Sequence, residues 1–217
     1  MTEGYFGQRG LTASTSDYNA HDFHIEQALG KVRTSVPVKI IAVHGGGVGA
    51  PPTVDVQPLV NQIDGQGNQT PHGIIYGRPC TRSQGGGNAV INDPHVGDVG
   101  LLVISDRDTS SLISNEGTQS NPGSFRMHDM ADGIYHGAML NPANPNQYVQ
   151  FTETGMKLVD MNGNVIEMKS GSIAITGNLT VSGSITAGFG TGDAVNLQTH
   201  THPTTPPGPQ APPNPGS

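Results

Sequence analysis

The 217-residue sequence has no tryptophan and a single cysteine, and only 5% of its residues are aromatic. One cysteine, Cys80, excludes an internal disulfide framework and is typical of a chain made in a reducing cytosol. Nothing around Cys80 suggests an activated thiol, so we expect a small buried side chain there. Few aromatic residues also leave little material for the stacking platforms that bind single-stranded nucleic acid.

Charge is scarce as well, at 12% of residues, and the net charge is -7. Such a chain has no overall basic field to attract nucleic acid or an anionic membrane. The start, MTEGYFGQRG, lacks the pattern of a signal peptide, and no apolar run approaches the roughly 20 residues of a transmembrane helix. From residue 170 to 217 the only charged side chain is Asp193. We therefore expect the strands of this segment to be buried against another surface.

Glycine and proline are abundant instead, with 31 and 17 residues, while 33% of the chain is hydrophobic. This composition favours many short strands joined by turns, in an all-β protein. We divide the chain into an N-terminal segment, a barrel-like domain, a repeat region and a C-terminal apex with a proline-rich tail. These four parts span residues 1–30, 31–146, 147–190 and 191–217.

In the N-terminal segment, the stretch YNAHDFHIEQALG is predicted to form one short helix. Asn19 or Asp22 is expected to cap it, and Gly30 to end it. His21 and His24 lie one helical turn apart, a spacing that can bind a metal. With no third ligand nearby, we interpret them as ordinary surface or packing histidines.

The second part predicts strands at 36–43 and 53–60 around a turn rich in glycine and proline, which is typical of a hairpin. Further short runs, GIIYGRPC and GDVGLLVISDRD, favour a small antiparallel barrel or sandwich. The stretches HGGGVG and QGGGNA lack the features of a phosphate-binding loop and are predicted to be loops. Residues 115–147 have no sustained period and are predicted to form a long irregular connection.

The repeat region consists of six short segments that each end in glycine and shorten from eight residues to five. Apolar and polar residues alternate within most of them, which predicts strands with one buried face. Repeats this short cannot enclose a core alone, but stacked repeats or several chains around one axis can. The glycines are Gly155, Gly163, Gly171, Gly177, Gly183 and Gly188.

His200 and His202 stand just before the proline-rich tail. In a strand, residues two apart point the same way, so both rings would face one side. Two imidazoles are too few to fill a coordination sphere. Either the pair is incidental polar sequence, or other copies of the chain supply the missing ligands.

Taken together, these stretches resemble the central spike proteins of contractile phage tails, of the baseplate-spike type found in phages P2, Mu and phi92. VPVKIIAV, TVDVQPLV, GGGNAVINDPHVGDVGLLVISDRD and RMHDMADGIYHGAML are similar to the N-terminal OB-type barrel of that family. The glycine-punctuated repeat followed by His-x-His is similar to its C-terminal part. The order and spacing of these pieces are specific together, and they cover nearly the whole chain.

The resemblance implies a homotrimer in which three OB-type barrels precede an intertwined β-helix with a metal-capped apex. It implies that His200 and His202 of three chains hold one structural iron ion with six imidazoles in octahedral geometry. The barrels would dock onto the tail hub of the baseplate, and sheath contraction would drive the spike through the host outer membrane. The protein would be made in the host cytoplasm, reside at the baseplate tip of the virion, recognise no nucleic acid sequence and have no enzymatic activity.

Three other classes of protein stay open. A module that binds single-stranded nucleic acid is the weakest of them, because only 5% of the residues are aromatic and only 10 are lysine or arginine. A hydrolase would need paired acids such as Asp93, Asp98, Asp106 and Asp108, although carboxylates at strand ends are more often turn formers. A trimeric β-solenoid adhesin that binds glycans would need exposed aromatic residues, and after residue 150 the repeat region has only Phe151 and Phe189. We expect failure to bind polysaccharide, together with assembly onto a tail hub, to distinguish the spike from the adhesin.

Overall fold

The computed structural model is mostly β-structure, as the composition predicted. It divides into two compact units, Met1–Ala143 and Asn144–Ser217. No helix in the part of the chain that the structure describes is long and apolar enough to cross a membrane. The described residues are 12–64, 66–140, 144–192 and 194–199.

The helices and strands follow each other in chain order. They are α1 Asp17–Leu29, β1 Ser35–His44, β2 Thr53–Pro58, β3 Gln62–Ile63, β4 Gln69–Thr70, β5 Ile75–Pro79, β6 Ser83–Gly85, β7 Asn88–Val90, β8 Val99–Ile104, α2 Ser110–Ser114, a 3-10 turn Met130–Asp132, β9 Gly133–Ala138, β10 Tyr148–Thr152, β11 Gly155–Val159, β12 Val165–Lys169, β13 Ser172–Thr176, β14 Thr186–Ala187 and β15 Val195–Asn196.

Helix α1 begins earlier than the sequence predicted. Its N-cap is Ser16, whose hydroxyl accepts a hydrogen bond from the backbone N–H of Asn19 at 3.2 Å, so a cap at Asn19 or Asp22 is wrong. The predicted end at Gly30 is confirmed. His21 bonds the helix itself, because its Nδ1 lies 2.7 Å from the backbone oxygen of Asp17.

A five-stranded antiparallel sheet with the order β5-β2-β1-β8-β9 forms the first unit. The predicted hairpin is confirmed, because β1 and β2 pair across the glycine-rich turn. Alternate residues of these strands point inward and are completely buried, as the period of two requires. The largest of them are Val38, Ile40, Val54, Val56 and Leu102.

The two edge strands of this sheet, β5 and β9, approach each other. Cys80 forms a parallel β-bridge with Tyr135, and the N–H of Thr81 donates to the carbonyl of Tyr135 at 3.0 Å. Gly100 makes room for the Tyr135 ring, since a Cβ there would lie 2.6 Å from the ring's Cζ atom. Cys80 is 7% exposed, which confirms the predicted burial, and desolvation raises the pKa of its thiol to about 11.

The prediction of an irregular connection over residues 115–147 is wrong in part. It contains β9, which pairs with β8 except at an irregularity around Gly137. Gly133 and Gly137 interrupt the alternation of apolar residues in this strand, so the period of two was not visible. The prediction of a loop in QGGGNA is wrong in part, because Gln84–Gly85 and Asn88–Ala89 pair in the β6–β7 hairpin and only Gly86 and Gly87 form its turn.

In the second unit, β10 to β13 form an antiparallel meander in the order of the chain. The alternating pattern predicted these four strands correctly. It failed for the next segment, because residues 178–183 form no strand in the structure. Its two alternating apolar residues are the same pattern as in β10 to β13, but no described strand pairs with this segment in the structure. Of the last segment, only Thr186–Ala187 is a strand, which pairs with β15.

Candidate functional site

The β10–β13 sheet has one face that is entirely apolar. Residues that pair directly across neighbouring strands lie on the same face of a sheet, so the strand register defines two rows of side chains. These are Val149–Leu158–Ile166–Ile175 and Phe151–Met156–Met168–Ile173. We call these eight residues the apolar face.

The apolar face is uncovered in the single chain. Phe151 is 79% exposed, Ile173 68% and Val149 60%, and none of the described residues from 144 to 199 is buried. A four-stranded sheet needs one face packed against other apolar surface to be stable. This unit therefore has the strands of a folded domain without a core of its own.

The opposite face of the same sheet is mixed, with one row of Tyr148–Val159–Val165–Thr176 beside two more polar rows. Its middle row places Lys157 between Gln150 and Glu167, where opposite charges of neighbouring strands lie side by side. This row suits contact with water. The two faces therefore differ in composition, and only the apolar face lacks polar side chains in both of its rows.

Exposed apolar side chains continue beyond the sheet. Leu179 is 64% exposed and Phe189 is 90% exposed. The described residues from 171 to 199 include no charged side chain. Exposure of this whole stretch to water is therefore unfavourable, as the scarcity of charge in the sequence indicated.

The predicted metal ligands His200 and His202 lie outside the described residues, and so does Asp193. Within the described ranges, no group of three or more histidine, cysteine, aspartate or glutamate side chains is arranged to hold a metal ion.

The acidic residues considered for a hydrolase are distributed over different loops. Asp93 contacts Arg82 at 3.2 Å and accepts a hydrogen bond from the N–H of Gly47. That bond, followed by the one from Arg82, lowers the pKa of Asp93. Asp98 accepts a hydrogen bond from the N–H of His95 at 2.8 Å within its own turn.

Arg82 closes the glycine-rich turn between β1 and β2. Its guanidinium donates to the carbonyls of Gly49 at 2.7 Å and Gly47 at 2.9 Å, and its side chain is only 6% exposed. Together with Asp93 it fixes a turn in which Gly47 has a φ of 77°. The Arg82–Asp93 pair therefore has a structural use within the first unit.

Asp108 belongs to a second cluster, together with Asp132 and Arg126. Arg126 Nη2 lies 3.1 Å from Asp108 and 3.1 Å from Asp132, and each carboxylate side chain is only 2% exposed. Arg126 Nε also donates to Asp132 at 3.2 Å. Hydrogen bonds from Ser110 and Ser124 hold the pKa of Asp108 well below its usual range.

The ion pairs and hydrogen bonds of this cluster stabilise the long connection between β8 and β9. The sequence did not predict Asp132 or Arg126 as partners of Asp108, although the RMHDMAD stretch carries both charges six residues apart. Asp106, the fourth acid considered, is exposed on the same connection. Asp93, Asp98 and Asp108 are thus engaged in three separate local networks.

Comparison with models of known protein families matched no family, and comparison with curated proteins matched none of them.

Proposed function

We propose that this chain is the central spike of a contractile phage tail or a related injection particle, and that it acts as a homotrimer. The single observation that carries the proposal is the uncovered apolar face of β10–β13. A sheet that lacks a core in one chain gains one when three copies turn the same face toward a common axis. We infer the function of this assembly from the resemblance of the sequence to spike proteins.

The apolar face suits a closed assembly of identical chains. Burying a side chain such as Phe151 or Ile173 stabilises a protein by about 1.5–3 kcal/mol, and each chain contributes eight such residues. The opposite face of the sheet, with Lys157 and Glu167, would remain toward water. A closed arrangement also removes the free sheet edges that would otherwise pair with other proteins.

The first unit is, in this proposal, an OB-type barrel. The strand order β5-β2-β1-β8-β9 and the parallel bridge between Cys80 and Tyr135 support it, because a five-stranded Greek-key barrel closes by joining its edge strands. Such a barrel is compact and carries long connections. It would attach the spike to the hub of the tail.

His200 and His202 of three chains would hold one iron ion at the apex, by six imidazole nitrogens. Imidazole is a suitable ligand for iron, and a filled coordination sphere supplies a structural link between chain ends without a position for substrate. The ends of the chains are where unfolding would otherwise begin. The two histidines would thus hold the narrow end of the spike together.

Sheath contraction would drive this end through the outer membrane of the host. A charged side chain costs about 2.5–3.5 kcal/mol to insert at the centre of a bilayer on insertion scales. The sequence after residue 170 has one charged side chain, Asp193, which supports passage through lipid. The work of perforation would come from the sheath, and the spike would contribute stiffness and shape.

Native mass spectrometry of the purified protein, with and without a strong chelator, tests the assembly and its metal. We expect a species of three times 22.5 kDa that carries one iron ion. The double variant His200→Ala, His202→Ala should lose the iron. A metal-free monomer from the unmodified protein would remove the axis on which the proposal depends.

Immunogold electron microscopy of intact tail particles tests the position of the protein. An antibody against the purified chain should label the tip of the baseplate. Label on the fibres, combined with binding to envelope polysaccharide, would instead identify the trimeric adhesin.

A further inference from the structure

Helix α1 belongs to the first unit but is not part of the proposed barrel. None of its residues is buried, and it has no extensive contact with any other described helix or strand. An isolated helix of 13 residues is marginally stable in water. The N-cap Ser16 nevertheless starts it, and Gly30 ends it.

The apolar residues of α1 form a narrow stripe. Tyr18, Ile25 and Leu29 lie seven and four residues apart, so the helical period places them on one side. They are 78%, 58% and 64% exposed. The half-buried residues Ala20 and Phe23 lie on the other side of the helix. The stripe therefore lies on the more exposed side of the helix.

Carboxylates flank this stripe. Asp17, Asp22 and Glu26 are the charged residues of Asp17–Leu29, and the helix contains no lysine or arginine. Helix surfaces of this kind bind by placing apolar anchors in a groove, while the charges beside them select the rim of that groove. An acidic flank is complementary to a basic rim.

We propose that α1 is a docking helix, and that its Tyr18–Ile25–Leu29 stripe binds an apolar groove flanked by lysine or arginine on another protein. A second copy of this chain is a poor occupant, because the chain has 17 acidic residues against 10 lysine and arginine residues and offers an acidic flank little basic surface. An anionic membrane surface is unfavourable for the same reason. The identity of the partner rests on the proposed function, which makes it the tail hub.

The test measures binding of the full-length protein to the purified hub protein of the same tail. Ile25→Asp places a charge in the stripe and should weaken binding about tenfold or more, as expected when an anchor of an interface is removed. Gln27→Asp places the same charge on the other side of the helix and should leave binding within about twofold. Both variants should keep the thermal midpoint of the unmodified protein, because α1 has no buried residue.

Salt dependence tests the charge complementarity separately. Binding of the unmodified protein should weaken as sodium chloride is raised, since salt screens exposed charges. The double variant Asp22→Asn, Glu26→Gln should bind less tightly at low salt and depend less on salt. Equal salt dependence of the two proteins would contradict a basic rim.

The outcomes separate this inference from the proposed function. If the unmodified trimer does not bind the hub, the proposed function fails. If it binds and Ile25→Asp binds equally well, the docking helix is wrong while the spike stands. If Ile25→Asp turns a trimer into monomers, the stripe joins copies of this chain, and the assignment to another protein is overturned.

Discussion

Arg126 is the residue on which the long connection between β8 and β9 depends, because it contacts two carboxylates that are hardly exposed. Arg126→Met should lower the thermal midpoint of the first unit by several degrees, since Asp108 and Asp132 would lose their cation while remaining buried. Differential scanning calorimetry measures the change.

Arg107→Met provides the matched control, because Arg107 is exposed in the same connection. It removes the same type of charge and should change the midpoint little. Equal effects of the two variants would mean that Arg126 acts through net charge and not through its contacts.

Asp108 makes stability depend on pH. Hydrogen bonds from Ser110 and Ser124 lower its pKa in the folded protein, whereas an unfolded aspartate has a pKa of about 3.9. Its contribution is therefore fully present above about pH 5 and is lost as the pH falls below about 4 toward the folded value. Asp93, whose pKa is also lowered, acts in the same direction.

Asp108→Asn should flatten the fall of the thermal midpoint between about pH 5 and pH 3, because an amide does not bind this proton. Thermal unfolding followed by circular dichroism over this range measures the slope. Asp106→Asn, at an exposed position of the same connection, should leave the slope as it is. An unchanged slope in Asp108→Asn would assign the acid sensitivity to other carboxylates.

At the scale of single residues, the sequence predicted the burial of a side chain better than the partners of charged side chains. Cys80 was expected to be buried because it is small and has no activating neighbours, and it is buried. The contact of Arg126 with Asp108 was not predictable, since residues 18 positions apart meet only after β8 and β9 have paired. Pairing of charges across a loop follows from tertiary structure.

The apolar face of β10–β13 gives the prediction at the scale of an element. Phe151→Asp should convert the proposed trimer to monomers, because three buried carboxylates would meet in its core. Gln150→Asp is the matched control, with the same new charge one residue away on the other face of the sheet, opposite Lys157. Sedimentation velocity distinguishes trimer from monomer, and a trimer that survives Phe151→Asp would contradict the role of the apolar face.

Regular alternation predicted the elements best. It located β10 to β13 because each strand has two apolar residues on one side, a pattern that needs no knowledge of neighbouring strands. It missed β9, where Gly133 and Gly137 replace apolar residues, and it placed the start of α1 too late because Ser16 was not considered as a cap. The apolar face itself depends on the register between strands, which was not predicted from the sequence.

For the whole molecule, the proposal ties stability to assembly. A protein whose core forms only between chains has a thermal midpoint that rises with protein concentration. We expect this rise for the unmodified protein over a hundredfold dilution series, and none for monomeric Phe151→Asp. A midpoint independent of concentration would mean that the single chain is stable by itself.

Removal of the proposed iron ion should lower the stability of the proposed trimer. A strong chelator should decrease the thermal midpoint, because an ion bound only by the folded state stabilises that state. The His200→Ala, His202→Ala variant should start from the lower midpoint and show no further response to the chelator. A response that persists in the variant would place the metal elsewhere.

The uncovered rows of β10–β13 also matter during biosynthesis. If the chain forms the proposed trimer, a copy that has just left the ribosome exposes Phe151 and Ile173 until it meets two others, and the rate of that encounter falls steeply when few copies are present. During this interval the same rows can join any other exposed strand and start aggregation. A cell that produces this protein in quantity must therefore translate many copies close together, or shield the nascent sheets with a holding chaperone.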